Sequence, residues 1–428
     1  MIDVALVSAF GRANWLAAEL VDQGFKVALV DISDSLGRWA PEDWEGPFGF
    51  LQTEKTTPSQ LTRLTHEDHH DAVDEGFVVW TDQGPVDTGG LFSNFWLSQS
   101  SPLEKLKLHL TNWDSAKNLQ EKKTLTKKIM DLPFEESWII HLSHQLASPV
   151  FKDNALAVQW GAPLPVYGSQ FIRRVTRKGS QKSLEWCEQR GVKLFASSQV
   201  TDLSLDKTYW QEIEVKGAWS GVLKAKNLVW AISSQETEKI SPKIRSDLYP
   251  GGILKPEWVW VRYRFKILLG LYQKTLPLKF VLIEDPKLWW AHTNLVMVQK
   301  TVAENDFDAW IRIPAHHRFH RTSMEKWAEE LSQLFSRKIP FAKAQIQDMP
   351  QDYLYEYEEL GPSLFPVFKE RDHRRFRVKP LKNVYHLGVE FSPSLDWTGR
   401  FKRQSQVVRL LDDWRRGELK KKEVVVDT

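Results

Sequence analysis

The residues with the most chemistry to offer lie near the start of the chain, in the turn Ser8-Ala9-Phe10-Gly11-Arg12-Ala13 and at Asp31. Backbone N–H groups at a helix N-terminus, with their partial positive charge, suit a pyrophosphate. An acid about 20 residues further on suits the hydroxyls of a ribose. Asp31 stands 23 residues after Ser8, so turn and acid have the spacing of a dinucleotide site. Ser8, Phe10 and Ala13 occupy the three positions at which G-x-G-x-x-G places glycines. Ala13 is an accepted variant there. Ser8 replaces the glycine that permits a tight turn. Phe10 puts a benzyl group where pyrophosphate would meet bare backbone, and Gly11, one residue later, serves that role only if the loop shifts register.

The elements needed to hold these residues are legible around them. Asp3 to Val7 reads as an apolar strand, Leu16, Ala17, Leu20 and Val21 recur at helical spacing, and Gly24 stops that helix. Val27 to Val30 reads as a second strand ending at Asp31, which completes a βαβ unit. The stretch 32–55 reads as loop, punctuated by Gly37, Pro41, Gly46, Pro47 and Gly49. Residues 76–84 read as a strand and turn, and 134–146 as a helix. A helix over Ser180 to Glu188, a stop at Gly191, a strand at 192–195, a β-meander from Val200 and an apolar strand Leu228 to Ile232 follow. Residues 255–315 are strand-rich, the pattern of an antiparallel sheet. Met324, Trp327, Leu331, Leu334 and Phe335 share one helical stripe. The last unit is a strand, Gly388, a loop and a helix from about Arg400, with the tail after it expected to fray.

Length and composition bound the function. At 428 residues the chain is too long for one ordinary domain, and 42% hydrophobic with 26% charged residues is the balance of a globular protein with a large core. A net charge of +3 supplies no concentrated basic face, so nucleic acid is not an expected partner. The single Cys187 excludes an intramolecular disulfide and a cysteine-rich metal site, and it fits a reducing, cytoplasmic setting. The most apolar stretch, Val259 to Tyr272, is broken by Arg262, Arg264 and Lys266, so no membrane span is expected.

Other reactive-looking clusters have plainer readings. His66, Asp68, His69, His70 and Asp71 fit no standard metal spacing and read as a solvated segment. His316, His317 and His320 suggest a metal or a base, but a loop-to-helix junction accounts for them. The Lys-rich run from Glu104 to Lys128 and the basic run 369–379 read as solvated faces. Gly168 and Ser169 begin a turn that needs no function. Trp258, Trp260, Trp289, Trp290 and Trp310 are core and interface residues, a minority of which suit an apolar pocket.

Four segments in order resemble the flavin-containing amine oxidase, protoporphyrinogen oxidase and phytoene desaturase superfamily. They are the βαβ unit ending in Asp31; Leu36-Gly37-Arg38, similar to the L-G-G-R that follows the acid; the middle block 165–233, where a Gly turn and a helix lead to GVKLFASSQVTDLSLD and later to KAKNLVWAIS; and NVYHLGVEFSPSLDWTGRFKRQSQVVRLL near the end. The resemblance implies an α/β fold, with an FAD/NAD(P)-binding Rossmann-like domain and an interleaved α+β antiparallel-sheet substrate domain. The first is expected from 1–90, 165–240 and 380–420, the second from 91–164 and 241–379. It implies FAD held by Ser8, Phe10, Gly11, Ala13, Asp31, Arg38, Val200 at the adenine, Gly388, Glu390, Thr398 and Gly399. The family's Gly-acid pair reads Gly388-Val389 here, with Glu390 one place late, and Arg400 and Phe401 stand where small residues are usual.

The function so implied is an FAD-dependent oxidoreductase that takes a hydride from a small substrate, an amine or an apolar skeleton; no catalytic side chain is assigned. Two alternatives stand beside it. One is a cofactor-less, non-catalytic descendant acting as a binding or scaffold protein, for which Phe10 and Val389 speak. The other is an NAD(H)- or nucleotide-binding protein built on the same βαβ unit.

Overall fold

Ile2–Ser8 and Val27–Asp31 are near-continuous apolar runs, the pattern of strands covered on both faces. In the computed structural model of the chain they lie side by side in a parallel sheet. The structure describes residues 2–9, 11–33, 50–53, 78–81, 84–87, 171–174, 177–249, 256–268, 276–277, 279–284, 295–301, 306–317, 320–339, 342–348, 358–360, 381–388 and 397–426. In chain order the elements are β1 (Ile2–Ser8), α1 (Asn14–Asp22), β2 (Val27–Asp31), β3 (Phe50–Thr53), β4 (Val78–Thr81), β5 (Gly84–Asp87) and β6 (Phe171–Arg174). Next come α2 (Arg177–Gln189), β7 (Lys193–Phe195), β8 (Ser198–Asp206), β9 (Tyr209–Gly217), β10 (Gly221–Trp230), α3 (Ser234–Ile240) and α4 (Pro242–Leu248). Then follow β11 (Pro256–Leu268), β12 (Lys279–Ile283), β13 (Leu295–Lys300), β14 (Asp306–Pro314), α5 (Arg321–Lys338), β15 (Lys343–Asp348), β16 (Glu358–Leu360), β17 (Val384–His386) and α6 (Trp397–Val426).

The first sheet has the order β7-β2-β1-β10-β9-β8, with β17 also paired to β10. Strands β7, β2, β1, β10 and β17 are mutually parallel, whereas β8, β9 and the first part of β10 form an antiparallel meander. Side chains alternate across β1. Val4 and Leu6 face a core with Leu16, Leu20, Cys187, Val407 and Leu411, from α1, α2 and α6. Ala5 and Val7 face a second core with Val200, Trp210, Ile213, Trp230 and Ile244, from the meander and α4. The chain leaves β1 toward β2 and β7 on one side, and β10 and β17 lie on the other. The reversal of strand order therefore falls between β1 and β10, and a crevice at the carboxyl ends of those strands is where this class of sheet binds ligands.

The second sheet has the order β15-β11-β14-β13-β12-β4-β5, with β16 also on β11. It is antiparallel except where β4 joins β12, Val78 opposite Phe280. The expected stripe on α5 is buried against it, with Phe335 5.2 Å from Phe265 between ring centroids. Asp308 is buried in the middle of β14, where Arg264 grips it with Nε and Nη2 at 2.9 and 3.2 Å.

Several expectations are corrected by these pairings. The expected loop at 32–55 contains β3, which pairs with β6 in a separate two-stranded ladder. Strands β4 and β5, expected within the first domain, belong to the second sheet, because Trp80 enters its core and donates Nε1–H to the Lys338 carbonyl at 2.8 Å. The first core extends past residue 240, since Ile244, Leu248 and Tyr249 pack into it. The tail does not fray where expected: α6 begins at Trp397 and runs to Val426, through Leu, Lys and Glu residues of high helix propensity. The readings at 60–75, 104–128, 134–146, 168–169 and 369–379 lie outside the described residues, as do Trp289 and Trp290.

Candidate dinucleotide crevice

The turn after β1 is tight although its first glycine is a serine. Gly11 takes φ of 71°, the left-handed conformation that the turn requires and that suits glycine. Ser8 is buried, and its Oγ accepts the Ala13 N–H at 3.1 Å, while the Arg12 and Asn14 N–H groups bond to the carbonyls of Ala9 and Gly11. The amides of residues 12–14, which a glycine-rich loop would turn toward a phosphate, are thus committed within the turn. Arg12 supplies positive charge in their place. Its Nη1 lies 2.5 Å from Glu236 Oε1, with the two side chains 11% and 7% exposed.

Glu236 is placed by the connection leaving β10. Ser233 and Glu236 form a reciprocal capping box at the start of α3: Ser233 Oγ accepts the Glu236 N–H at 3.1 Å, and Glu236 Oε2 accepts the Ser233 N–H at 2.7 Å. Burial raises the affinity of Glu236 for a proton, but the Arg12 charge and the hydrogen bonds from Ser233 and Arg12 outweigh it and hold the carboxyl below its ordinary range. The pair therefore bridges the ends of β1 and β10, across the switch point of the sheet. From the C-terminal helix, Gln404 donates Nε2–H to the Arg12 carbonyl at 2.6 Å. Gln404 is 3% exposed, and its Oε1 finds no donor among the described residues.

The neighbouring strand ends lie at the same edge of the sheet. Asp31 is buried at the end of β2, and its Oδ1 accepts the Ser33 N–H at 2.9 Å and the Ser33 hydroxyl. Val200 is fully buried in β8, within the core shared with β2. At the end of β17, His386 is buried edge-on to Tyr249, with ring centroids 4.8 Å apart, and burial followed by the charge of Arg403 pushes its pKa down to about 3. The next residue but one is Gly388, and Thr398 and Gly399 lie in the first turn of α6, whose Phe401 packs at right angles on Trp15 of α1, 5.1 Å away.

Of the residues expected at a cofactor, Ser8, Gly11, Ala13 and Asp31 lie at the ends of β1 and β2, Gly388 at the end of β17, and Thr398 and Gly399 at the start of the helix that returns to α1. Val200 lies in the meander. Phe10, Arg38 and Glu390 fall outside the described residues. Sequence reasoning did not single out Arg12, Glu236, Gln404 or His386. Ser233-x-x-Glu236 is a readable capping box, and Arg12 is the one charged residue of the Ser8–Ala13 turn, but nothing local pairs them. Outside the crevice, His316 and His317 lie in a short 3-10 turn and His320 occupies the N-cap position of α5 without a side-chain capping bond, as the loop-to-helix reading expects.

No family model and no curated protein matches the sequence. Solved structures do share its fold over nearly the whole chain. An oxidoreductase from Methanosarcina mazei is 13% identical with a TM-score of 0.59, over 95% of this chain and 100% of that one. A geranylgeranyl bacteriochlorophyll reductase-like protein from Thermoplasma acidophilum is 8% identical with a TM-score of 0.51, over 99% and 83%. A putrescine oxidase variant from a redesign of cofactor binding is 13% identical with a TM-score of 0.51, over 96% and 99%. The chain thus has the α/β fold shared by these oxidoreductases, as the resemblance implied. No helix among the described residues is long and apolar enough to cross a membrane.

The chemistry of the crevice fits a dinucleotide's diphosphate. A guanidinium and a helix N-terminus favour an anion, Asp31 at the end of β2 suits ribose hydroxyls, and the buried Gln404 Oε1 is an acceptor with no donor among the described residues. Where a glycine-rich loop presents free backbone amides, this turn presents the Arg12 side chain.

Proposed function

We propose that the chain is an FAD-dependent oxidoreductase of the amine-oxidase-like type, acting on a small amine or apolar substrate. The observation that carries this reading is the meeting, at the switch point between β1 and β10, of four distant pieces: the Ser8–Ala13 turn, Asp31, the end of β10 and the unit from β17 into α6. Arg12 and the start of α1 would hold the diphosphate, Asp31 the adenosine ribose, and Val200 would lie toward the adenine. The start of α6, at Thr398 and Gly399, would face the flavin ring. When bound, the flavin supplies a hydride acceptor for a substrate C–H bond. The protein orients it, excludes water and fixes charge. His386, neutral across the physiological range, adds no positive charge at the end of β17. A division into two domains, with β4 and β5 in the second and Ile244 to Tyr249 in the first, and a cytoplasmic location are part of the same proposal.

One observation favours a second reading. The Arg12–Glu236 pair spans the crevice with the turn amides satisfied, an arrangement that also suits a cofactor-less binding protein. The purified protein decides between them. Denaturation should release FAD, identified by fluorescence before and after cleavage to FMN. A colourless protein that releases no flavin and binds none when FAD is added has the second function. Binding of NAD(H) in preference to FAD would assign the fold to a nicotinamide nucleotide instead.

A further inference from the structure

We propose that Glu236 is an internal stand-in for the cofactor's diphosphate, and that a dinucleotide enters the crevice by displacing its carboxylate from the Arg12 guanidinium. This rests on the dinucleotide reading of the crevice and goes beyond it, because it names both the gripping residue and the group it must give up.

The construction of the pair suits exchange. Glu236 shares its two oxygens between tasks: Oε1 meets Arg12, and Oε2 takes the Ser233 N–H. The second contact, with the Glu236 N–H on Ser233 Oγ, anchors the carboxylate to α3 independently of Arg12. Departure of the guanidinium therefore does not unmake the helix cap. On the other side, the Arg12 backbone is held by bonds of its own, apart from those of its side chain. Its N–H bonds to Ala9 and its carbonyl accepts from Gln404, so a swing of the guanidinium about its own torsions leaves the turn in place.

The chemistry matches on both sides. A carboxylate and a phosphate oxygen present the same charge-assisted acceptor to a guanidinium, and a diphosphate presents more of them. With the amides of residues 12–14 occupied inside the turn, Arg12 is the cation of the β1–α1 turn positioned to meet a diphosphate. A second, independent feature also points to a ligand. Gln404 is 3% exposed and touches Arg12, yet its Oε1 has no donor among the described residues, and a ribose or ribityl hydroxyl is a donor of the right kind.

The test compares wild type, Glu236→Gln, Arg12→Gln and the double variant by calorimetric titration with inorganic pyrophosphate, ADP-ribose and FAD. Gln at position 236 retains both capping-box contacts and removes the charge. Glu236→Gln should bind all three probes at least about tenfold more tightly than wild type, and Arg12→Gln about tenfold more weakly. The double variant should be no tighter than Arg12→Gln. FAD binding of equal strength in all four proteins overturns the proposal and leaves the flavin reading standing. Binding of none of the probes by any of the four sinks the flavin reading itself. If Glu236→Gln does not fold alone, refolding with pyrophosphate is the readout. Recovery with pyrophosphate but not with chloride supports the exchange, and no recovery overturns it.

Discussion

The guanidinium of Arg12 and the carboxylate of Glu236 meet at 2.5 Å although 224 residues separate them in the chain. Their meeting is a consequence of the parallel pairing of β1 with β10, Val7 opposite Trp230, which brings the loops after both strands to one edge of the sheet. Breaking a buried pair by neutralising one member leaves a charge without its counter-ion, so Glu236→Gln should lower stability by about 3 kcal/mol in urea denaturation. Adding Arg12→Gln should restore part of that loss. Independent, additive losses would show that the two side chains do not interact as described.

The same carboxyl predicts a pH dependence. Glu236 in the folded chain holds its proton less tightly than a free glutamate, whose ordinary pKa is 4.5. The unfolded state therefore takes up protons first as pH falls, and the contribution of Glu236 is full above about 4.5 and lost below it. In the Glu236→Gln protein the acid limb of the stability profile below that pH should be shallower.

His386 acts higher on the same profile. With a folded pKa of about 3 against an ordinary 6.5, it stays neutral in the folded chain while the unfolded chain protonates. Stability from this group is full above pH 6.5 and declines as pH falls toward 3, at a slope approaching about 1.4 kcal/mol per pH unit. His386→Gln should flatten the limb between those values. An unchanged slope there would mean that His386 is accessible to protons in the folded protein.

Asn383 ties the meander to β17. Its Oδ1 accepts the Trp210 N–H at 2.8 Å, and its Nδ2 donates to the carbonyls of Trp210 and Lys226 at 2.8 and 2.9 Å. Asn383→Asp keeps the shape and the first bond but loses both donations, and it faces two carbonyl oxygens with a negative charge. The expected loss is about 3 kcal/mol, read as a lowered urea midpoint. A midpoint within error of wild type would contradict the clamp.

Cys187 is sealed between α2 and α1, with its Sγ–H on the Asn14 carbonyl at 3.1 Å, and burial pushes its pKa up to about 12. The thiolate needed for attack is scarce. Ellman's reagent should leave the native protein essentially unlabelled over an hour-scale assay, and should label one thiol per chain once it is unfolded. Rapid labelling of the native protein would place Cys187 at the surface.

Local patterns were readable where local physics decides the outcome. The runs at 2–8 and 27–31, the stop at Gly24 and the α5 stripe rest on periodicity and turn chemistry, and they fold as read. The β3 strand was hidden in a glycine- and proline-rich stretch because its partner β6 is about 120 residues away, and only pairing makes it a strand. The membership of β4 in the second sheet has the same cause: its partner β12 lies beyond residue 278. Ser8 looked like a defect in the glycine fingerprint. Its hydroxyl instead closes the turn on Ala13, a compensation that spacing alone does not reveal. Arg12 and Glu236 each carried a legible signal, but their partnership depends on topology.

The most direct measurement of the central claim is equilibrium binding of FAD against FMN to the purified, flavin-stripped protein, followed by quenching of flavin fluorescence. FMN lacks the adenosine half and the diphosphate that Asp31, Val200 and Arg12 are assigned to hold. The expected result is one FAD bound per chain, at least about tenfold more tightly than FMN, with the preference lost in Arg12→Gln. Equal affinity for the two flavins, or binding of neither, would contradict the assignment of this crevice to an adenine dinucleotide.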